Sequence, residues 1–129
     1  MWRTLMLDKE TIILKLQEVL SSEQNIEFGY LFGSYADGTQ SDRSDVDLAL
    51  YLNDASFNKQ LDIHAKILRV VPKEIDLIVL NTAKNLYLLD DIFKKGQVIK
   101  DSEERLDFEV RKEHQILDYK EFKKSIDAA

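Results

Sequence analysis

The sequence predicts an α/β domain in which helices flank a mixed β-sheet. Short apolar runs of strand length alternate with longer segments whose apolar residues recur at helical spacing. The chain has 129 residues, of which 44% are hydrophobic, so it has the length and the apolar content for one core. No repeat, low-complexity stretch or linker divides it. We therefore expect a single domain over residues 1–129, with a core at about 10–100 and a C-terminal helix at about 102–124.

Charge and composition argue against several classes of protein. The net charge of -6 and the pI near 4.9 disfavour a nucleic-acid-binding surface, because such surfaces need clustered Lys and Arg. The absence of cysteine excludes a disulfide framework and thiol chemistry. The first residues contain neither a signal sequence nor a transmembrane run. We therefore expect a cytoplasmic protein that makes no direct contact with nucleic acid or membrane.

The first half of the chain predicts one helix and two strands. Asp8 is a suitable N-cap for the helix. The apolar stripe of this helix, which we expect to pack on the sheet, consists of Ile12, Ile13, Leu16, Val19 and Leu20. Two apolar runs, Ile26–Phe32 and Val46–Leu52, then predict strands that are joined by a polar loop.

The second half predicts alternating helices and strands. After a turn at residues 53–56, a helix is expected to bury one stripe and to end before Pro72; the stripe is Phe57, Leu61, His64, Leu68 and Val71. Because a histidine in such a stripe is more often a hydrogen-bonded boundary residue than a catalytic base, we interpret His64 as structural. A strand at 75–80, a helix at 83–95 with a basic C-terminal turn, and a strand at 97–100 follow.

The long helix predicted from residue 102 has more apolar surface than one small sheet can cover. Leu106, Val110 and Leu117 form one stripe, and a second stripe consists of Phe108, Gln115, Tyr119, Phe122 and Ile126. Three interpretations remain open, namely packing on the helix's own domain, a homodimer contact, and docking of a partner protein.

The polar loop between the first two strands contains the candidate site residues. Gly33 and Ser34 end the first strand, and ten residues later Asp45 and Asp47 begin the second. Side chains alternate along a strand, so both carboxylates point to one face, about 6 to 7 Å apart at the backbone. Two aspartates at the start of a strand disfavour folding unless a cation offsets their repulsion. Hard oxygen ligands of this kind suit Mg²⁺, which completes its coordination with water and substrate phosphates.

Two further features indicate a nucleotide site. A glycine at position 33 lets the backbone approach a phosphate, and Ser34, opening a short helical turn, offers its hydroxyl and N–H groups. Asp76 interrupts the third apolar strand and would complete a carboxylate triad for two metal ions. Each element alone is common in structural turns, whereas the ordered combination indicates a site.

In these residues the sequence resembles the nucleotidyltransferase superfamily of the DNA polymerase β type. The superfamily motif is Gly-Ser, a spacer, Asp-x-Asp and a third Asp on a later strand, and this sequence matches it at Gly33, Ser34, Asp45, Asp47 and Asp76. The short length and the ten-residue spacer resemble the minimal nucleotidyltransferases of the MntA type, which are encoded beside HEPN-domain RNase toxins of the HepT type. The resemblance covers about residues 10 to 100. Within that range Ser44, just before the first aspartate of the motif, also resembles the group.

The resemblance implies a nucleotidyltransferase fold and an enzymatic function. Asp45, Asp47 and Asp76 would be catalytic and would bind two Mg²⁺ ions, while Gly33, Ser34 and Ser44 would bind ATP. AMP would be transferred to a tyrosine of a cognate HEPN toxin in a hetero-oligomeric complex, which makes the protein an antitoxin. Two alternatives are a nucleotidyltransferase for a small-molecule acceptor, disfavoured because such enzymes usually add a helical domain, and a non-catalytic module that masks a toxin by contact.

Overall fold

The computed structural model describes residues 8–41 and 43–128. The helices in these two segments are α1 (Lys9–Ser22), α2 (Ser34–Asp37), α3 (Phe57–Val70), α4 (Leu86–Lys95) and α5 (Glu103–Ala128). The strands are β1 (Ile26–Phe32), β2 (Val46–Leu52), β3 (Ile75–Val79) and β4 (Gln97–Lys100), and a 3₁₀ turn, Leu80–Thr82, follows β3. None of the helices in these segments combines the length and the apolarity that a bilayer span requires.

The four strands form one mixed sheet in the order β3-β2-β1-β4. Strand β1 runs antiparallel to both β2 and β4, whereas β2 and β3 run parallel. The parallel pair is joined by α3, as a parallel connection requires. The predicted α/β class with a mixed sheet and flanking helices is thus confirmed.

Helices cover both faces of the sheet, which therefore has a core on each side. The first core lies under α1 and α3 and includes Val46, Leu48 and Leu50 of β2. The second lies under α4 and α5 and includes Ala49, with Tyr51 packed against it. The alternation predicted for β2 is confirmed, and it determines on which face the carboxylates lie.

Helix α1 agrees with the sequence prediction. The Asp8 side chain accepts a hydrogen bond from the Thr11 N–H at 2.8 Å, which satisfies one of the free donors at the helix start. Ile12, Leu16 and Leu20 are fully buried against the sheet. The sequence could predict both the N-cap and the buried stripe, because they depend only on the spacing of nearby residues.

Helix α3 corrects one prediction, because the buried stripe shares only Val71 with the predicted one. Ile63, Ile67 and Val71 face the core, whereas Phe57, Leu61 and Leu68 are 72%, 52% and 43% exposed. The helix has apolar residues on two adjacent rows, so periodicity alone could not choose between them. His64 lies at the boundary as predicted, with Nε2 3.3 Å from the Ile75 carbonyl oxygen.

The last two helices differ from their predicted bounds. Helix α4 begins at Leu86 rather than at 83, because the Asn85 side chain caps it by accepting from the Leu88 N–H at 3.1 Å. Helix α5 extends to Ala128, four residues beyond the predicted end. Only Phe108 and Ile116 of α5 are buried, so the expectation of excess apolar surface is confirmed.

Candidate active site

The Gly-Ser turn lies at the end of β1, as predicted. Gly33 has φ 71° and ψ -151°, and Ser34 opens the single turn of α2. The turn closes at Gly38, whose φ of 85° is again in the left-handed region that favours glycine. Tyr35 is 2% exposed and packs into the core, so it anchors α2 below the turn.

Asp47 lies between the Gly-Ser turn and the third aspartate. In the antiparallel ladder Asp47 pairs with Phe32, the residue before Gly33, and in the parallel ladder it pairs with Asp76. Neighbouring strands are about 4.8 Å apart, and paired residues point to the same face of a sheet. Asp45 precedes β2 by one residue and lies two positions before Asp47, so it is directed to this face as well. The structure therefore brings together the three aspartates that the sequence singled out.

The electrostatics of Asp47 reflect this crowding. Partial burial raises the pKa of Asp47 above its ordinary value, and the charges of Asp76 and Asp45 and a hydrogen bond with Asp76 raise it further. Each cause disfavours the ionised form. Ionised Asp47 is thus held beside like charges, a situation that a cation would relieve.

Gly33 is required by its neighbour as well as by its backbone conformation. A Cβ atom at this position would collide with Oδ2 of Asp47 and would lie 3.1 Å from its Cγ. The positive φ adds strain for any other residue. The sequence predicts only a role in phosphate approach for Gly33. Its contact with Asp47 could not be predicted, because only the register of β1 and β2 places Asp47 against the turn.

The loop before β2 is closed by its own hydroxyl groups. The Ser44 hydroxyl accepts from the Ser41 N–H at 2.9 Å, and the Ser44 N–H donates to the Ser41 carbonyl at 3.0 Å. Thr39 donates from its N–H and its hydroxyl to Oδ1 of Asp37 at 2.9 and 2.6 Å. Ser44 is therefore placed as a residue that shapes the loop next to Asp45, and a direct contact with nucleotide stays a prediction for it.

The donor set suits a hard divalent cation, although the side chains do not yet surround one. Within residues 8–41 and 43–128 no group of three or more potential ligands is arranged to hold a metal ion. The backbone positions of Asp47 and Asp76 are held by the strand ladder, whereas their carboxylates can rotate toward a ligand. Three carboxylates on one sheet face offer the oxygen chemistry that Mg²⁺ takes, with substrate phosphates supplying further ligands. The residues therefore fit Mg²⁺ as members of a site that the nucleotide would complete.

A depression of about 330 Å³ adjoins the Gly-Ser turn on the side of α4. Its lining combines apolar and charged side chains and includes Phe32, Gly33, Asp37, Leu88, Ile92 and Lys95. The sequence predicts the basic end of α4 only as a helix terminus. No local pattern could have indicated that this terminus lies beside Gly33, since Lys95 is 62 positions further along the chain.

Comparison with known proteins agrees with this geometry. The model of the family described as "Polymerase beta, Nucleotidyltransferase" matches residues 14–105. A "Putative protein adenylyltransferase" of Methanocaldococcus jannaschii is 29% identical over 84 residues, which cover 63% of this chain and 84% of that protein.

Two solved structures share the fold. A toxin-antitoxin with AMP-PNP matches with a TM-score of 0.73 and 22% identity, over 88% of this chain and 94% of that chain. A tri-AMPylated Shewanella oneidensis HEPN toxin in complex with MNT antitoxin matches with a TM-score of 0.69 and 18% identity, over 92% and 95% of the two chains. The family match spans more than half of the chain and includes the Gly-Ser turn and all three aspartates. The chain therefore belongs to the polymerase beta nucleotidyltransferase family.

Proposed function

We propose that this protein is an antitoxin that transfers AMP from Mg-ATP to a tyrosine of a cognate HEPN-type RNase toxin and so neutralises it. The observation that carries the proposal is the position of Asp47, which lies between Gly33 and Asp76 and has a raised pKa in the company of two other carboxylates. Crowded carboxylates beside a glycine turn are costly to a fold, and a cation with a polyphosphate would relieve that cost.

Each residue has a role in this proposal. Gly33 and Ser34 hold the nucleotide phosphates, and Ser44 shapes the loop that presents Asp45. Asp45, Asp47 and Asp76 hold Mg²⁺, which when bound supplies charge neutralisation at the phosphates and a lower pKa for the attacking hydroxyl. A tyrosine hydroxyl has a pKa of about 10, so a group on the protein must accept its proton, and we assign that role to Asp76.

The relatives support the choice of substrate and acceptor. The matched protein of Methanocaldococcus jannaschii is named for protein adenylylation, and one structural neighbour contains AMP-PNP. Another neighbour contains an AMPylated HEPN toxin in complex with an MNT antitoxin. By analogy, we infer a hetero-oligomeric complex between this protein and a HEPN toxin, with ATP as the nucleotide.

One observation favours a second candidate, in which the protein masks a toxin by contact without catalysis. Several apolar side chains of α5 are largely exposed, with Leu117 at 61%, Phe122 at 61% and Ile126 at 56%. Such a surface suits protein docking. Docking and catalysis are compatible, so the experiment must separate inhibition that requires transfer from inhibition that does not.

The test is intact-mass spectrometry of the cognate toxin after incubation with this protein and Mg-ATP. We expect the toxin to gain one or more AMP units and to lose RNase activity. Both effects should disappear with Asp45→Asn or with EDTA, and both should persist with Asp62→Asn, which removes an equal charge from the exposed surface of α3. A toxin that is inhibited without a change of mass would refute the transferase and support masking.

A further inference from the structure

The end of α4 lies against the end of β1. Gly96 follows α4 directly, and a Cβ atom there would be 3.3 Å from the carbonyl oxygen of Leu31. Gln97 pairs with Leu31 in the sheet. Lys95 is therefore held close to the Gly-Ser turn, and its side chain lines the same depression as Phe32 and Gly33.

The surroundings of this depression are acidic. A nucleotide that enters it is also negatively charged, so a nearby cation is needed to offset the repulsion. Asp37 and Asp91 line the depression, and the three site aspartates lie just beyond the turn. The pKa of Asp37 is lowered chiefly by hydrogen bonds from Thr39, with smaller contributions from the charges of Lys9 and Lys95. Lys95 is thus a cation close to both the turn and the depression.

Lys95 is available for a new partner. Its contact with Asp91 is 3.8 Å long, and the two side chains are 75% and 67% exposed. An exposed ion pair of this length contributes little to stability, so exchanging it for a phosphate costs little. Lys94, by contrast, contacts Asp90 at 3.1 Å, and Asp90 also accepts from Lys120 at 2.9 Å.

We propose that Lys95 binds the β- and γ-phosphates of ATP and stabilises the pyrophosphate that leaves, an inference that rests on the proposed function. In that reaction the acceptor oxygen forms a bond to the α-phosphorus, and the bond to the bridging oxygen breaks with its electron pair passing to pyrophosphate. The α-phosphate must therefore lie at the carboxylates. Lys95 lines a depression that shares Gly33 with the site but whose lining includes none of the three site aspartates. A lysine ammonium suits phosphate oxygens better than it suits a base, so we place the leaving end of the nucleotide beside it.

Calorimetric titration with ATP and with AMP, in the presence of Mg²⁺, tests this assignment. Lys95→Gln should weaken ATP binding about tenfold, the effect of losing one charge-assisted hydrogen bond at an exposed position, and should leave AMP binding unchanged. Lys95→Arg keeps the charge and should restore ATP affinity to within about threefold of wild type. An equal loss of ATP and AMP affinity in Lys95→Gln, or no loss of ATP affinity, would overturn the proposal.

Two matched variants separate a local contact from general electrostatics. Lys94→Gln removes the neighbouring charge of α4, and Lys9→Gln removes the other lysine whose charge acts on Asp37. Neither side chain lines the depression, so ATP affinity should change less than about twofold in both. If the wild-type protein does not bind ATP, the proposed function itself is wrong; if it binds ATP and Lys95→Gln binds equally well, only the assignment of Lys95 is wrong.

Discussion

Replacing Asp47 by Asn is expected to stabilise the folded protein while it abolishes nucleotide transfer. Asp47 and Asp76 are direct neighbours on adjacent strands, so their backbones are about 5 Å apart. Two like charges at that separation repel by about 0.8 kcal/mol in water and by about 3 kcal/mol at an effective dielectric constant of 20. Asp47 is only half-buried, so water still screens much of its repulsion with Asp76. We therefore expect the Asn variant to gain about 1 kcal/mol of stability at pH 7.

The sign and the pH range of this gain follow from the raised pKa of Asp47. The folded state binds the proton of Asp47 more tightly than the unfolded state does, so wild-type stability falls as pH rises above the ordinary value of 3.8. The penalty is complete once pH exceeds the raised pKa in the folded state. The Asn variant has no such penalty, so its advantage should be present at pH 7 and should vanish below about pH 3.8.

Thermal unfolding of wild type and variant, measured across this pH range, checks the prediction. A gain of about 1 kcal/mol corresponds to a rise in Tm of about 3 to 4 °C for a domain of this size. Millimolar Mg²⁺ should raise the Tm of the wild type more than that of Asp47→Asn, because the ion relieves the same repulsion. Asp62→Asn, at an exposed position of α3, should show neither effect. A variant that is less stable at pH 7, or that keeps its advantage in acid, would refute the account of a crowded carboxylate.

Two further predictions concern residues that the structure places in close contact. Gly33→Ala should lower stability by more than about 2 kcal/mol and should impair ATP binding in calorimetry, because its methyl group would meet Asp47 and its backbone conformation favours glycine alone. Gly38→Ala, in the milder αL conformation and with no atom within 4 Å, should cost only about 1 kcal/mol, and an equal loss in both would contradict this account. Tyr30→Phe should lower the free energy of unfolding in urea by about 2 kcal/mol, because the buried hydroxyl donates to Oε1 of Glu109 at 2.5 Å and links β1 to α5. An unchanged unfolding midpoint would show that this hydrogen bond is dispensable.

Much of the fold and the site could be predicted because the relevant signals are local. The period of two along β2 determines that Asp45 and Asp47 share a face opposite Val46 and Leu48, whatever else the chain does. The cap at Asp8 and the turn at Gly33 likewise depend on a few adjacent residues. Together with the later aspartate on β3, these patterns were sufficient to predict the class of fold and the grouping of the three aspartates.

Other features depended on contacts between segments that are distant in sequence. Helix α3 has two apolar rows, and only the surface of the sheet determined that Ile63 and Ile67 are buried while Leu61 is exposed. The contact between Gly33 and Asp47 follows from the antiparallel register of β1 and β2, which sequence periodicity does not specify.

Helix α5 and the end of α4 also show what the sequence determines and what only the tertiary structure decides. Sequence alone determined that α5 has more apolar surface than its domain needs, because that is a matter of composition and helical spacing. Only the tertiary structure decided that Phe108 and Ile116 are its buried residues and that Lys95 lies beside the Gly-Ser turn. The physical reason is that spacing along the chain determines which side chains share a face, whereas the packing of sheet and helices determines what that face meets.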